Sequence, residues 1–163
     1  MKIALYTLGC KVNQYETQAM EQELQRRGHT LAPFDGWADA YIINTCTVTA
    51  VSDKKSRNAI RRAKKLNPAA VVGVCGCYAQ VAPEQLETLG IDVLSGSAGR
   101  MAFLDLIEGA FAERRRVVAV DDAMARREFE KLPAGGLSVR TRAMLKIEDG
   151  CVNFCSYCII PYA

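Results

Sequence analysis

Along the chain, apolar runs of strand length alternate with longer stretches in which apolar residues recur at helical spacing. That is the pattern of repeated strand–helix–strand units around a parallel sheet. Residues 2–8 read as a first strand, followed by a helix over about 13–27 with Met20 and Leu24 on one side and Gly28 placed to end it. Short strands are predicted at 30–33 and 40–44. A second helix starts near Ser52, a favourable N-cap, and runs to Leu66, where Asn67-Pro68 stops it. A Val-rich buried strand at 70–75, a short helix from near Pro83, a strand around 93–94, a helix over about 100–115 and a strand at 117–120 complete the alternation. The expected fold is α/β, a three-layer, mainly parallel twisted sheet flanked by helices.

Beyond Val120 the pattern changes. Residues 123–140 mix charge with Pro133 and Gly135-Gly136 and lack sustained apolar spacing, as a linker does. Residues 143–147 read as one more strand, and too few residues follow it to build a second domain. The predicted organisation is a domain over 1–122, a linker over 123–140 and the start of a further unit over 141–163. The last strand has no neighbours, so its bare edge is expected to pair with a second copy of the chain or to be disordered.

Composition narrows the class. With 163 residues, 50% of them hydrophobic and 24% charged, the chain is neither fibrous nor wholly disordered. No run approaches the ~20 apolar residues of a membrane span. Residues 3–8 are too short for a secretory signal, although Leu8-Gly9-Cys10 imitates a lipoprotein cleavage site. A cytoplasmic location with no membrane partner is expected. Seven cysteines exceed what packing asks for, and in a reducing compartment they point to metal binding or redox chemistry rather than to disulfides.

Three of them stand as Cys151-x3-Cys155-x2-Cys158 in a loop after the last predicted strand. That spacing presents three thiolates to a cubic iron–sulfur cluster and leaves its fourth iron without a protein ligand. Closed structural zinc would want a fourth ligand from elsewhere. A redox pair at Cys155 and Cys158 lacks the helix N-terminus that tunes such pairs. Cys10, Cys46 and Cys77 each lie one to two residues past the carboxyl end of a predicted strand. In a parallel sheet those ends share one edge, where ligands bind, so the three thiols could hold a second cluster there. Cysteine is also a common small buried apolar residue, and that reading stands beside the first. Gly9 and Gly76 would let the backbone bend close to an inorganic core. Cys75, inside its strand, is assigned to packing.

Charge adds one feature. Lys54, Lys55, Arg57, Arg61, Arg62, Lys64 and Lys65 share one side of the second helix, and no acidic residue occurs from Lys54 to Pro83. This stripe could follow RNA phosphates, with Arg114-Arg115-Arg116 and Arg126-Arg127 as extensions, or it is a solvated face. His29 reads as a surface residue rather than a ligand. Ser95-Gly96-Ser97-Ala98-Gly99 could receive a phosphate at a helix start but lacks the nucleotide-binding patterns, so it reads as a turn. No Ser-His-Asp set and no acid–base carboxylate pair is evident, so no catalytic side chain is assigned.

The run Cys151-Val152-Asn153-Phe154-Cys155-Ser156-Tyr157-Cys158-Ile159-Ile160-Pro161 resembles the cluster motif of radical S-adenosylmethionine enzymes, in the form found in methylthiotransferases. Gly9-Cys10-Lys11-Val12-Asn13-Gln14-Tyr15-Glu16, Asn44-Thr45-Cys46-Thr47-Val48 and Gly76-Cys77-Tyr78-Ala79-Gln80 resemble that family's three N-terminal cysteine motifs. The first, with Lys11-Val12 and Gln14-Tyr15, is similar to the branch that acts on threonylcarbamoyladenosine in tRNA. The resemblance implies an enzyme that adds a methylthio group to C2 of N6-threonylcarbamoyladenosine near the anticodon. It implies two [4Fe-4S] clusters and S-adenosyl-L-methionine as cofactors. Cys151, Cys155 and Cys158 would hold the cluster that reductively cleaves S-adenosylmethionine to a deoxyadenosyl radical. Cys10, Cys46 and Cys77 would hold the auxiliary cluster that carries the inserted sulfur. Tyr157 would lie against the adenine of the cofactor. The role of Asn13 and the donors of electrons and sulfur are left unspecified.

The family continues past the residue matching Pro161 into an α/β barrel and a small RNA-binding β domain. The chain therefore resembles an N-terminal part carrying the first strand and cluster loop of a truncated barrel, and alone it is expected to be inactive. The competing reading is a non-catalytic metal-binding module that contacts RNA.

Overall fold

A computed structural model describes residues 1–132 and 144–163. Its strands are β1 (Lys2–Thr7), β2 (Thr30–Ala32), β3 (Ala40–Thr45), β4 (Val71–Gly76), β5 (Val93–Ser95) and β6 (Val117–Ala119). They pair in parallel throughout, in the order β2-β1-β3-β4-β5-β6. The helices are α1 (Lys11–Arg26), α2 (Ala50–Leu66), α3 (Cys77–Val81), α4 (Pro83–Glu87) and α5 (Arg100–Glu113). The expected three-layer α/β architecture is the one observed.

Side chains alternate along the central strands and supply both cores. Ile42 of β3 and Cys75 of β4 pack with Met20 and Leu24 of α1 and Phe103 and Ile107 of α5 on one face. Tyr41 and Ile43 of β3 and Val72 and Val74 of β4 pack with Ala59, Ile60 and Ala63 of α2 and with Tyr78 and Leu86 on the other. Every residue of β3 and β4 is buried, as strands covered on both faces require. Cys75 is fully buried in this packing, as assigned.

Strand order reverses between β1 and β3, so α1 and α2 leave the sheet on opposite faces. The carboxyl ends of those two strands form the topological switch point of the sheet, the usual ligand position in doubly wound sheets. Among the described residues, no helix is long and apolar enough to cross a membrane.

Helix ends refine the sequence reading. Past α1, Gly28 takes φ +84° while its N–H donates to the Gln25 carbonyl at 3.0 Å and the His29 N–H to the Leu24 carbonyl at 2.9 Å. These two bonds satisfy carbonyls the helix end would leave orphaned. The N-cap of α2 is Thr49 rather than Ser52, because Thr49 Oγ1 accepts from the Ser52 N–H at 3.2 Å and the helix starts earlier. Similarly, α1 starts at Lys11, with Cys10 in the extended N-cap position. His29 is partly buried, its Nε2 held 2.6 Å from Glu108 Oε1 and its Nδ1 3.2 Å from the N-terminal amine.

The strand expected over 143–147 does not form across residues 144–147; Ala143 lies outside the described residues. A strand needs a paired neighbour, and here Lys146 instead turns inward to acidic partners while Leu145 and Ile147 stay 81% and 84% exposed. Of the expected linker, residues 133–140 fall outside the described residues. Residues before them pack on the sheet domain: Arg126 bonds Ser97 and Gln80, Glu130 accepts from the N–H groups of Gly99 and Arg100, and the Leu132 carbonyl accepts from the Tyr15 hydroxyl. The start of α5 is thereby filled by the Glu130 carboxylate, and the turn before it is structural.

Candidate metal centre

Cys10, Cys46 and Cys77 lie just past the carboxyl ends of β1, β3 and β4, three strands adjacent in the sheet. Cys10 caps α1, Cys46 directly follows β3, and Cys77 is the first residue of α3. Cys10 is exposed, Cys77 half-buried and Cys46 buried, so the group opens toward solvent on the Cys10 side.

Two glycines let the loops meet. A Cβ on Gly9, at φ +108°, would stand 2.9 Å from Cys46 Sγ and 2.7 Å from its Cβ. A Cβ on Gly76, at φ +100°, would stand 2.5 Å from both Asn44 Oδ1 and the Thr45 carbonyl oxygen. Any other residue at either place would meet both a clash and an unfavourable backbone conformation.

Asn13, 3% exposed, holds the loops together. Its Nδ2 donates to the Leu8 carbonyl at 2.9 Å and the Thr45 carbonyl at 2.8 Å, while its Oδ1 accepts from Cys10 Sγ at 3.4 Å. Asn44 returns the contact, donating from Nδ2 to the Asn13 carbonyl at 3.1 Å and to Thr17 Oγ1 at 3.2 Å. Thr45 Oγ1 donates to the Cys75 carbonyl at 2.6 Å and accepts from the Ala79 N–H at 3.3 Å, which ties the Cys46 loop to the start of α3.

Burial, then the neighbouring Cys46, Glu16 and Cys10, pushes the Cys77 thiol up to about 12. Cys77 thus lies within electrostatic reach of both Cys46 and Cys10, which places the three thiols at one locus. Among the described residues, no three His, Cys, Asp or Glu side chains converge tightly enough for a single metal ion. An iron–sulfur cube takes its thiolates on separate irons, so its ligands surround a volume rather than a point. The all-thiol donor set, the two glycine approaches and the open side suit such a cube.

The other triad lies apart in a short loop. Cys151 and Cys158 are half-buried and Cys155 is exposed. The Cys158 N–H donates to the Cys155 carbonyl at 2.9 Å, and Phe154, at φ +45°, turns the chain between Cys151 and Cys155. Tyr157 is 90% exposed. A cleft of about 680 Å³ runs beside Cys151, lined among others by Ser97, Arg126, Phe129, Asp149 and Phe154.

On α2, Lys54, Lys55, Arg61, Arg62 and Lys65 are exposed, while Arg57 and Lys64 are partly covered. Arg57 bonds the Tyr78 hydroxyl, Arg62 pairs with Asp35 at 2.6 Å and Lys64 with Asp92 at 2.8 Å. The stripe is therefore interrupted by internal bonds.

Side chains around the thiols were less visible in the sequence than the thiols. Asn13 and Glu16 follow Cys10 at intervals of three, one helical face, and Gln80 follows Cys77 by three. That spacing is the sequence signal that Asn13 lies beside Cys10, whose thiol donates to it.

A parallel α/β domain with three cysteine loops at one edge is the class these features define. Residues 2–96 match the uncharacterized protein family UPF0004, and the chain belongs to that family. It is similar, at 46% identity over 99% of its length, to threonylcarbamoyladenosine tRNA methylthiotransferase MtaB of Bacillus subtilis (strain 168). Its identity to MtaB of Aquifex aeolicus (strain VF5) is 38% over 100% of the chain. Identity to the tRNA-2-methylthio-N(6)-dimethylallyladenosine synthase of Porphyromonas gingivalis is 29% over 99%. The chain spans 36%, 40% and 36% of the length of these three relatives.

Proposed function

We propose that this chain belongs to an enzyme that methylthiolates N6-threonylcarbamoyladenosine in tRNA, and that its two cysteine triads each hold a [4Fe-4S] cluster. The observation that carries the reading is the gathering of Cys10, Cys46 and Cys77 at the carboxyl edge of β1, β3 and β4, with Gly9 and Gly76 allowing the loops to touch. The names of the relatives support the reaction, and the two with the threonylcarbamoyladenosine name share more identity with the chain than the dimethylallyladenosine synthase does.

When bound, the clusters supply reductive cleavage of S-adenosylmethionine at the Cys151 loop and a sulfur source at the Cys10 edge. The chain's own residues prepare both places. Asn13 and Thr45 fix the backbone on which Cys10 and Cys46 sit. Cys77, half-buried at the start of α3, would hold the same group as a thiolate, which requires loss of its proton. Cys151, Cys155 and Cys158 ligate the second group from a loop whose Tyr157 ring is free to lie on an adenine. Lys54, Lys55, Arg61 and Lys65 offer exposed charge to tRNA phosphates. We assign residues 1–122 to the unit that holds the auxiliary cluster, and 141–163 to the start of the radical-generating unit.

Nucleoside mass spectrometry of tRNA from cells lacking the gene tests this reading. Loss of 2-methylthio-N6-threonylcarbamoyladenosine with accumulation of the unthiolated nucleoside is expected. An unchanged nucleoside profile would contradict it.

A further inference from the structure

Glu16 lies six residues after Cys10 on α1, and Lys146 lies five residues before Cys151. Arg100 donates to Glu16 Oε2 from Nε at 3.1 Å and from Nη2 at 2.7 Å. Lys146 Nζ donates to Glu16 Oε1 at 3.1 Å and to Asp149 Oδ2 at 2.7 Å. The side chains of Arg100, Glu16 and Lys146 are 1%, 3% and 1% exposed. Arg100 Nη1 is satisfied by the Gly96 carbonyl at 3.0 Å, and the Phe129 ring lies 5.7 Å from Lys146 Nζ.

Burial by hydrophobicity would turn Leu145 and Ile147 inward and Lys146 out. The reverse is found, and the buried ion pair lies on the side of the segment that faces the domain. A buried pair contributes little net stability over apolar packing, and its best-attested use is to fix one arrangement among several. Lys146 keeps its charge there: burial opposes it, but the bond to Asp149 and the charge of Glu16 outweigh burial and raise its pKa. The same segment supplies Asp149 to the wall of the cleft beside Cys151.

We infer that Glu16 and Lys146 are positioning residues whose buried ion pair registers the segment entering the Cys151 loop against the helix that begins at Cys10, and so sets the relative placement of the two cysteine triads. The importance of that placement rests on the two-cluster reading; the ion pair's effect on the segment does not.

Two measurements on the full chain separate these levels. In metal-free protein, trypsin should spare the Lys146–Ile147 bond, because a sealed lysine cannot enter the protease. Glu16→Gln should speed cleavage at that bond at least tenfold, scored bond by bond by mass spectrometry. Equal cleavage in both proteins would overturn the inference. Because Glu16→Gln also deprives Arg100 of its partner, Lys146→Met, which leaves the Glu16–Arg100 pair intact, supplies the second arm. After anaerobic reconstitution, Lys146→Met should retain wild-type iron and sulfide but change the dipolar coupling between the two reduced clusters in electron paramagnetic resonance, and Lys146→Arg should restore it. Unchanged coupling in Lys146→Met with both clusters present would overturn the inference. Failure of wild-type protein to take up two clusters would overturn the two-cluster reading instead, with the trypsin comparison still deciding on the ion pair.

Discussion

The side-chain amide of Asn13 donates to the carbonyl oxygen of Thr45 at 2.8 Å, so one residue of α1 holds the loop that carries Cys46 as well as its own. Replacing it by alanine leaves the buried Thr45 carbonyl and the partly buried Leu8 carbonyl without this donor. We predict that Asn13→Ala lowers the stability of the metal-free protein by about 1–3 kcal/mol, measured by urea unfolding. It should also lower iron uptake under limiting iron. Wild-type stability would show that solvent replaces the amide there.

The two neighbouring cysteines of β4 and α3 should separate cleanly. Cys75 is fully buried in the core, and burial raises its thiol to about 11. Cys75→Ala should leave iron and sulfide content unchanged and cost about 1 kcal/mol through a small cavity. Cys77→Ala should remove iron from the Cys10 edge and barely alter folding stability. The reverse outcome would exchange their roles.

Acid sensitivity has a definable contribution from Glu23. Hydrogen bonds from Arg26 and then Arg27 hold its carboxyl at about 2, well below the ordinary carboxylate value. A lowered folded-state pKa stabilises the protein above the unfolded value of ~4.3, and that contribution is lost as pH falls toward 2. The stability gap between wild type and Glu23→Gln should be constant above pH ~5 and close by pH ~2. Arg26 is 74% exposed, so solvent screening keeps the gap near or below ~1 kcal/mol. A gap that persists at pH ~2 would assign it to packing instead.

If α2 follows an RNA backbone, Lys54, Lys55, Arg61 and Lys65 are the residues to remove together. Alanine at all four should weaken tRNA binding regardless of sequence and reduce the salt dependence by about one unit of slope for each phosphate left without its cation. Fluorescence anisotropy across a salt series checks this. An unchanged slope would make the stripe a solvated face.

Much of the arrangement is legible in the sequence, and the reasons are local. Parallel strands covered on both faces announce themselves as apolar runs, and Cys10, Cys46 and Cys77 fall just past three of them, so a shared edge follows from the alternation. The five-residue α3 is not legible, because a single turn following a strand carries no period to detect. Residues 144–147 mislead for a physical reason: their β-like composition says nothing about whether a partner strand is within reach. Glu16, Arg100 and Lys146 meet across 84 and 130 positions in sequence, a distance over which no periodicity carries information. The i, i+3 spacing places Asn13 beside Cys10, but its bond to the Thr45 carbonyl, 32 positions on, is hidden in the same way.

Iron and acid-labile sulfide, counted after anaerobic reconstitution of the chain and of a Cys10→Ala, Cys46→Ala, Cys77→Ala variant, test the two-cluster reading most directly. About eight irons are predicted in the wild type and about four in the variant, with sulfide in proportion. Equal iron in the two proteins, or zinc without sulfide, would contradict it.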